Sequence, residues 1–345
     1  MSHHTATRTV MNHHPASRRT RTVTAETLSA TTCFLAAALL LLLASSIAGC
    51  GPTFDSPSLI ESTRVVGARV EVAGAPRRAS PAPGERATVT WLMAAPGAMP
   101  ALGWAFALCA PGAPGGLSCE SAPLALVQGT ENPPRVTVDV PSADALGGAQ
   151  SLILYGRICV GGAPVFDPRR GEPACAGGAE GTTASVAIGV QTAGADANHN
   201  PVAEHGLTLD GQPWPAVAAG AESASDPCLT GPRVLAGTED HLIAAGTGDD
   251  DRERYTALFG DPPMPTAFRE SLQLSYFTTG GKFNSPYSFV EGDTPPGEAP
   301  VATVKWTSPK AKDLTGDTAV AFLFVVRDSR GGMDWTARAV CVAAQ

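Results

Sequence analysis

The sequence is so heavily punctuated that it leaves room for strands and little else. Beyond residue 63, short β-favouring runs recur, each closed off by Gly, Pro, Asn or Asp. In Ala87-Thr88-Val89-Thr90-Trp91-Leu92-Met93 the odd positions are apolar and Thr88 and Thr90 face the other way. That is the pattern of a half-buried strand, because successive side chains leave opposite faces of a sheet. Helical periodicity is scarce. A first set of runs covers 64–72, 85–93, 103–109, 124–128, 135–140, 150–160 and 184–190. A second covers 206–210, 241–245, 269–277, 286–290, 301–306, 318–327 and 334–342. Asp328-Ser329-Arg330-Gly331-Gly332 between the last two signals a hairpin. The expected fold is all-β, with two tandem sandwiches: domain 1 over 64–195, a linker over 196–203 and domain 2 over 204–345.

The N-terminus reads as a targeting leader. Arg8, Arg18, Arg19 and Arg21 stand against one acid, Glu26, before an apolar run from Phe34 to Ala44 and a small-residue stretch. These are the three parts of a secretory signal peptide. The apolar run falls short of the roughly 20 residues of a membrane-spanning helix. Met11 offers an alternative start, with a more usual basic region after it. Ile47-Ala48-Gly49-Cys50 resembles the lipobox of bacterial lipoproteins. The resemblance implies a signal peptide over 1–49, diacylglycerol on the Cys50 sulfur, and acylation of the new amino terminus, with palmitate as an expected chain. Residues 50–63 then read as a polar, lipidated tether. Two or more acyl chains hold a membrane stably where one does not, so the expected partner is the membrane, through Cys50. Gly51, in place of the Asp that enteric bacteria read as inner-membrane retention, favours the outer membrane.

With the leader goes a cluster of histidines: His3, His4, His13 and His14 belong to it. Setting aside its four arginines and Glu26 turns the net charge of −8 into −11. An acidic chain without a basic stripe is a poor partner for nucleic acid.

Six cysteines follow Cys50: Cys109, Cys119, Cys159, Cys175, Cys228 and Cys341. Outside the cytoplasm an even number reads as disulfides. Six allow about 15 connectivities. The preferred pairing is Cys109–Cys119, Cys159–Cys175 and Cys228–Cys341, the last closing a loop that contributes about 4–5 kcal/mol in the chain-entropy model. The competing metal reading lacks CxxC or Cys/His spacing.

About seven strands per set is also the Ig-like count. The arrangement resembles the tandem Ig-like modules of bacterial surface lipoproteins. Asp196-Ala197-Asn198-His199-Asn200-Pro201 resembles the DxNDNxP linker of cadherins, which binds calcium between modules. Asp196, Asn198 and Asn200 are the implied oxygen ligands of a Ca2+ ion. His199 replaces an acid of the pattern and removes a carboxylate from a cation that prefers several. The other reading is a solvated linker of turn-forming residues.

Asp249-Asp250-Asp251 is the densest acidic cluster, but it lacks EF-hand spacing. No GxSxG, HExxH, P-loop or GxGxxG is present. Beyond the leader the histidines are His199, His205 and His241. Trp104, Trp306, Trp335, Tyr276 and Phe277 suit a sandwich core or a binding face. Trp214, in a Gln-Pro-Trp-Pro loop, is the candidate exposed binding anchor. The expected function is an envelope-anchored structural or binding module for an envelope protein or polysaccharide. The alternative is an envelope hydrolase with its site on the sandwich end loops.

Overall fold

The alternation at 87–93 sorts as its pattern requires, up to a point. Val89, Trp91 and Met93 enter a core, and Thr88 is half-buried opposite Thr137. From Val89 onward both faces are buried, at Leu92 and Ala94 because the outer face meets a second sandwich. In this computed structural model, which describes residues 56–344 apart from 112–118, 120–121, 168–171, 218–225 and 294–299, the chain is all-β. The leader and Cys50 lie outside the described residues. Among the described residues, no helix is long and apolar enough to cross a membrane.

The first sandwich holds β1 (Arg64–Val72), β2 (Arg86–Ala94), β3 (Leu102–Cys109), β4 (Ala125–Gly129), β5 (Arg135–Asp139), β6 (Ser151–Val160) and β9 (Gly181–Gly189). Between the last two, β7 (Pro164–Phe166) and β8 (Pro173–Cys175) form a small hairpin. Sheet β1-β2-β5 faces sheet β4-β3-β6-β9. Their core is built around Trp91 stacked on Phe106, with ring centroids 5.0 Å apart.

The second half holds β10 (Leu207–Leu209), β11 (Gln212–Pro213), β12 (Arg233–Leu235), β13 (His241–Gly246), β14 (Arg254–Phe259) and β15 (Met264–Arg269). After these come β16 (Leu272–Thr278), β17 (Lys282–Phe283), β18 (Tyr287–Val290), β19 (Val301–Thr307), β20 (Thr318–Asp328) and β21 (Met333–Ala343). Sheets β11-β10-β13-β19-β17 and β12-β21-β20-β16-β18 close on Trp306, Phe322, Phe324 and Tyr276. The hairpin expected at 328–332 joins β20 to β21. Strands β14 and β15 form a separate two-stranded hairpin.

A third apolar layer joins the sandwiches. Val66, Leu92 and Ala94 pack against Leu323, Val325 and Ala337. Ile60 belongs to the same layer, so the tether expected over 50–63 ends sooner than residue 63. The reason is backbone pairing: Thr278 N–H donates to the Ser58 carbonyl and Ile60 N–H donates to the Thr278 carbonyl, each at 2.8 Å. The chain thus docks at the end of β16 before it starts the first sandwich.

The cysteines join as Cys109–Cys119, Cys159–Cys175 and Cys228–Cys341. The third pair ties the segment before β12 to β21.

Candidate functional site

Residues 196–200 pack as a junction and not as a solvated linker. Arg78 and His199 form an antiparallel bridge. The Asn200 side chain donates to the Val70 carbonyl at 2.7 Å and accepts from Met333 N–H at 2.9 Å, stitching β1 to β21. Asn198 is buried; its N–H donates to Ser80 Oγ, and its carbonyl accepts from Ala79 N–H. Asp196 accepts from Thr256 N–H at 3.0 Å. Of the expected calcium set, the Asp196 and Asn200 side chains are committed to separate backbone groups, while Asn198 Oδ1 is buried without a hydrogen-bond partner among the described residues. Asn200 has its carbonyl oxygen committed to the backbone, and among the described residues no cluster of three or more His, Cys, Asp or Glu is arranged to hold a metal.

The acidic run 249–251 is also structural. Asp251 is buried and accepts from Gly248 and Val202 N–H, each at 2.9 Å. Its Oδ2 lies 2.5 Å from His205 Nε2. Asp249 receives Arg269 at 2.5 Å and Arg252 at 2.8 Å. Its carboxyl is held below the usual carboxylate range by the Arg269 hydrogen bond, which burial opposes. His241 pairs with Asp210 at 2.7 Å.

Asp249 and its two arginines border an open cleft of about 620 Å³ that is also lined by Asp196, His199, Glu253 and Arg254, among others. Behind it lies Arg330 of the β20–β21 turn. Its Nε is 2.5 Å from Glu270 Oε1 and its Nη2 is 2.6 Å from Glu253 Oε2. It also donates to the Asp196 and Ala197 carbonyls and covers the Tyr255 ring at 4.8 Å. Arg330 therefore fastens the junction, β14 and the start of β16 together. Glu253 completes the knot, accepting from His199 N–H at 3.1 Å and lying 2.5 Å from His199 Nδ1.

Two buried acids face this arginine. Burial, then the nearby Asp328 charge, push the Glu270 carboxyl up to about 7 despite Arg330. Burial also raises Asp328, although Gly332 and Arg330 N–H groups donate to it.

From this base rises the β14–β15 hairpin, which the strand pattern did not reveal. Its eight residues 258–265 are all exposed. They include Leu258 at 70 %, Phe259 at 67 % and Met264 at 62 %, with Pro262, Pro263 and Pro265 among them. The missed signal was the alternation of Tyr255, Ala257 and Phe259, hidden by the prolines that follow. Pro265 has a physical reason. It pairs with Leu258, in phase with Thr256, whose N–H points away from β15 towards Asp196. In an antiparallel pair such positions face outward. Pro265 therefore costs no ladder bond and leaves no N–H for an added strand.

Trp214, expected as an exposed anchor, is 3 % exposed. Its ring packs edge-on to Phe322 and Phe324, and its Nε1–H donates to the Ala339 carbonyl at 3.0 Å. The flanking prolines turn the loop inward, and the indole finds its one acceptor on β21. Trp104, Trp306 and Tyr276 are likewise core residues.

No family model and no curated protein matches the sequence. Among solved structures, red sea bream transglutaminase is similar over 82 % of this chain and 32 % of its own, at 10 % identity and a TM-score of 0.22. The native conformation of E. coli alpha-2-macroglobulin is similar over 83 % of this chain and 16 % of its own, at 11 % identity and a TM-score of 0.21. The chain thus spans less than a third of the length of either protein.

Proposed function

We propose that the protein is a lipid-anchored module of the bacterial envelope that displays an apolar hairpin to a partner. The observation that carries this reading is the exposed run 258–265 on a fixed base. Exposed apolar residues scattered singly need no explanation, but a contiguous patch marks an interaction site. Six of the eight tip residues are apolar or proline, and the one charge is Asp261. The hairpin base adjoins the Leu272 end of β16, and the N-terminal segment docks at the Thr278 end. A strand of this length separates the two by about 20 Å. The partner proposed for the tip is an envelope protein or polysaccharide surface.

Two measurements test it. Radiolabelled palmitate is expected to enter the protein and to be lost in a Cys50→Ala variant; equal labelling of both overturns the anchor. A photo-crosslinking residue at Phe259 is expected to give a discrete envelope adduct that the same residue at Lys312 does not. Equal or absent adducts overturn display through the hairpin.

The hydrolase reading has one observation in its favour, the His199–Glu253 pair in an open cleft. Against it, both Glu253 oxygens are committed, to Arg330 and to His199, and the cleft is lined by no Ser, Thr or Cys among the described residues.

A further inference from the structure

The hairpin base gathers more acids than its arginine can neutralise. Arg330 bonds Glu253 and Glu270 directly, and its own N–H donates to Asp328. Glu270 is fully buried and Asp328 nearly so. The charged and titratable groups converging here come from every packed element. Glu253 and Tyr255 belong to β14 and its approach, and Arg269 and Glu270 to the end of β15 and the residue after it. Asp249 and Arg252 come from the preceding turn, Asp196 and His199 from the junction, and Asp328 and Arg330 from the β20–β21 turn. Arg252 and Arg269 engage Asp249. His199 adds a cation beside Glu253 only when protonated. Two carboxylates therefore share one permanently charged guanidinium, and a third, Asp328, sits on the same residue's backbone N–H. Glu270 and Asp328 are away from water, where an ionised carboxyl is disfavoured unless fully paired.

We infer that this joint is a proton-dependent latch: Glu270 holds a proton while the hairpin base, the 196–200 junction and the β20–β21 turn are closed on one another, and releases it when they part. The latch stands on the geometry of the joint; only its use, setting how firmly the hairpin is presented, rests on the display reading.

The sign follows from burial. In the closed joint Glu270 titrates at about 7, against an ordinary value of 4.5 once it is hydrated. Between those limits the closed form binds a proton that the open form does not. The opening constant then rises about tenfold per pH unit and levels off above neutrality. The joint is tight in mild acid and looser at neutral pH. Groups whose carboxyls are depressed act below this window and do not mask it.

The test is hydrogen exchange of the full chain in detergent between pH 5 and 8, corrected for intrinsic rates. Peptides covering 253–270 and 328–332 are expected to lose protection from pH 5 to 7, whereas the β5 peptide 135–140 does not. In Glu270→Gln, which mimics the protonated acid, protection is expected to stay high and flat with pH. A wild-type profile that is flat, or a Gln variant with the wild-type slope, overturns the latch. Should the Gln variant not fold, Asp328→Asn decides. Removing the neighbouring charge is expected to move the loss of protection to lower pH, and an unmoved profile overturns the latch. Crosslinking at Phe259 is a separate readout, so failure of the display reading and failure of the latch are distinguishable.

Discussion

Arg330, in the turn after β20, places its Nε 2.5 Å from Oε1 of Glu270, which precedes the neighbouring strand β16 and lies sixty positions away in sequence. Removing one partner of such a buried pair leaves an uncompensated charge, at a cost of about 3–5 kcal/mol. Arg330→Met is therefore expected to lower the urea midpoint strongly at pH 7.5. At pH 5 the loss should shrink, because Glu270 is then neutral. A loss of equal size at both pH values contradicts this account.

Trp214 and Phe259 make opposite predictions. Trp214→Ala empties the space beside Phe322 and Phe324 and is expected to cost about 3–5 kcal/mol. Phe259→Ser changes an exposed side chain and is expected to stay within about 0.5 kcal/mol of wild type. Thermal melting of the two variants checks both.

Loss of the Cys228–Cys341 bond frees a separation of 113 residues. The double Cys→Ala variant is expected to lose about 4–5 kcal/mol. Loss of Cys109–Cys119, separated by 10, is expected to cost less. Denaturant titration of each variant ranks them.

Asn200→Ala removes two bonds that join β1 to β21. It leaves the Met333 N–H and the Val70 carbonyl without these partners, at a cost of about 2–4 kcal/mol in all. Asn200→Asp keeps the acceptor for Met333 but sets a carboxylate against the Val70 carbonyl. Both variants are expected to melt lower than wild type with or without added calcium.

Stability should also fall in strong acid. The Arg78 and Ala82 hydrogen bonds hold Glu85 below its ordinary value. Burial opposes the shift at Glu204, but Arg338 and Thr336 bonds outweigh it. A depressed carboxyl contributes stability above its unfolded value, and that contribution is lost as pH falls through the folded one. With Glu270 acting in the opposite sense above 4.5, the urea midpoint is expected to peak near pH 5.

The strands were legible because alternation and punctuation are local. The run expected at 64–72 is β1 without change, and Thr318–Asp328 and Met333–Ala343 flank the expected turn. The cysteine pairing was legible because two loops are short and the third pair brackets the second domain. Burial across the joint was not legible. Leu92 and Ala94 signalled it by breaking alternation, but nothing local says that their partners are Leu323 and Val325. Asp328 and Arg330 share the turn that the sequence marks, but the cluster also draws Glu253 and Glu270 from two other turns, and sequence spacing carries no trace of that convergence. Trp214 shows the reverse failure: its loop was recognised, but not the direction in which it turns.

The pairing of Ser58 and Ile60 with Thr278 sets an order of events. The first described residues of the chain depend on a strand made more than two hundred residues later. Arg69–Asp334 and Arg327–Val66 repeat that dependence at the next strand. Contacts this distant in sequence close late and slowly. The leading segment cannot lock in place before β16 is made, and the seal between the two halves waits further for β20 and β21.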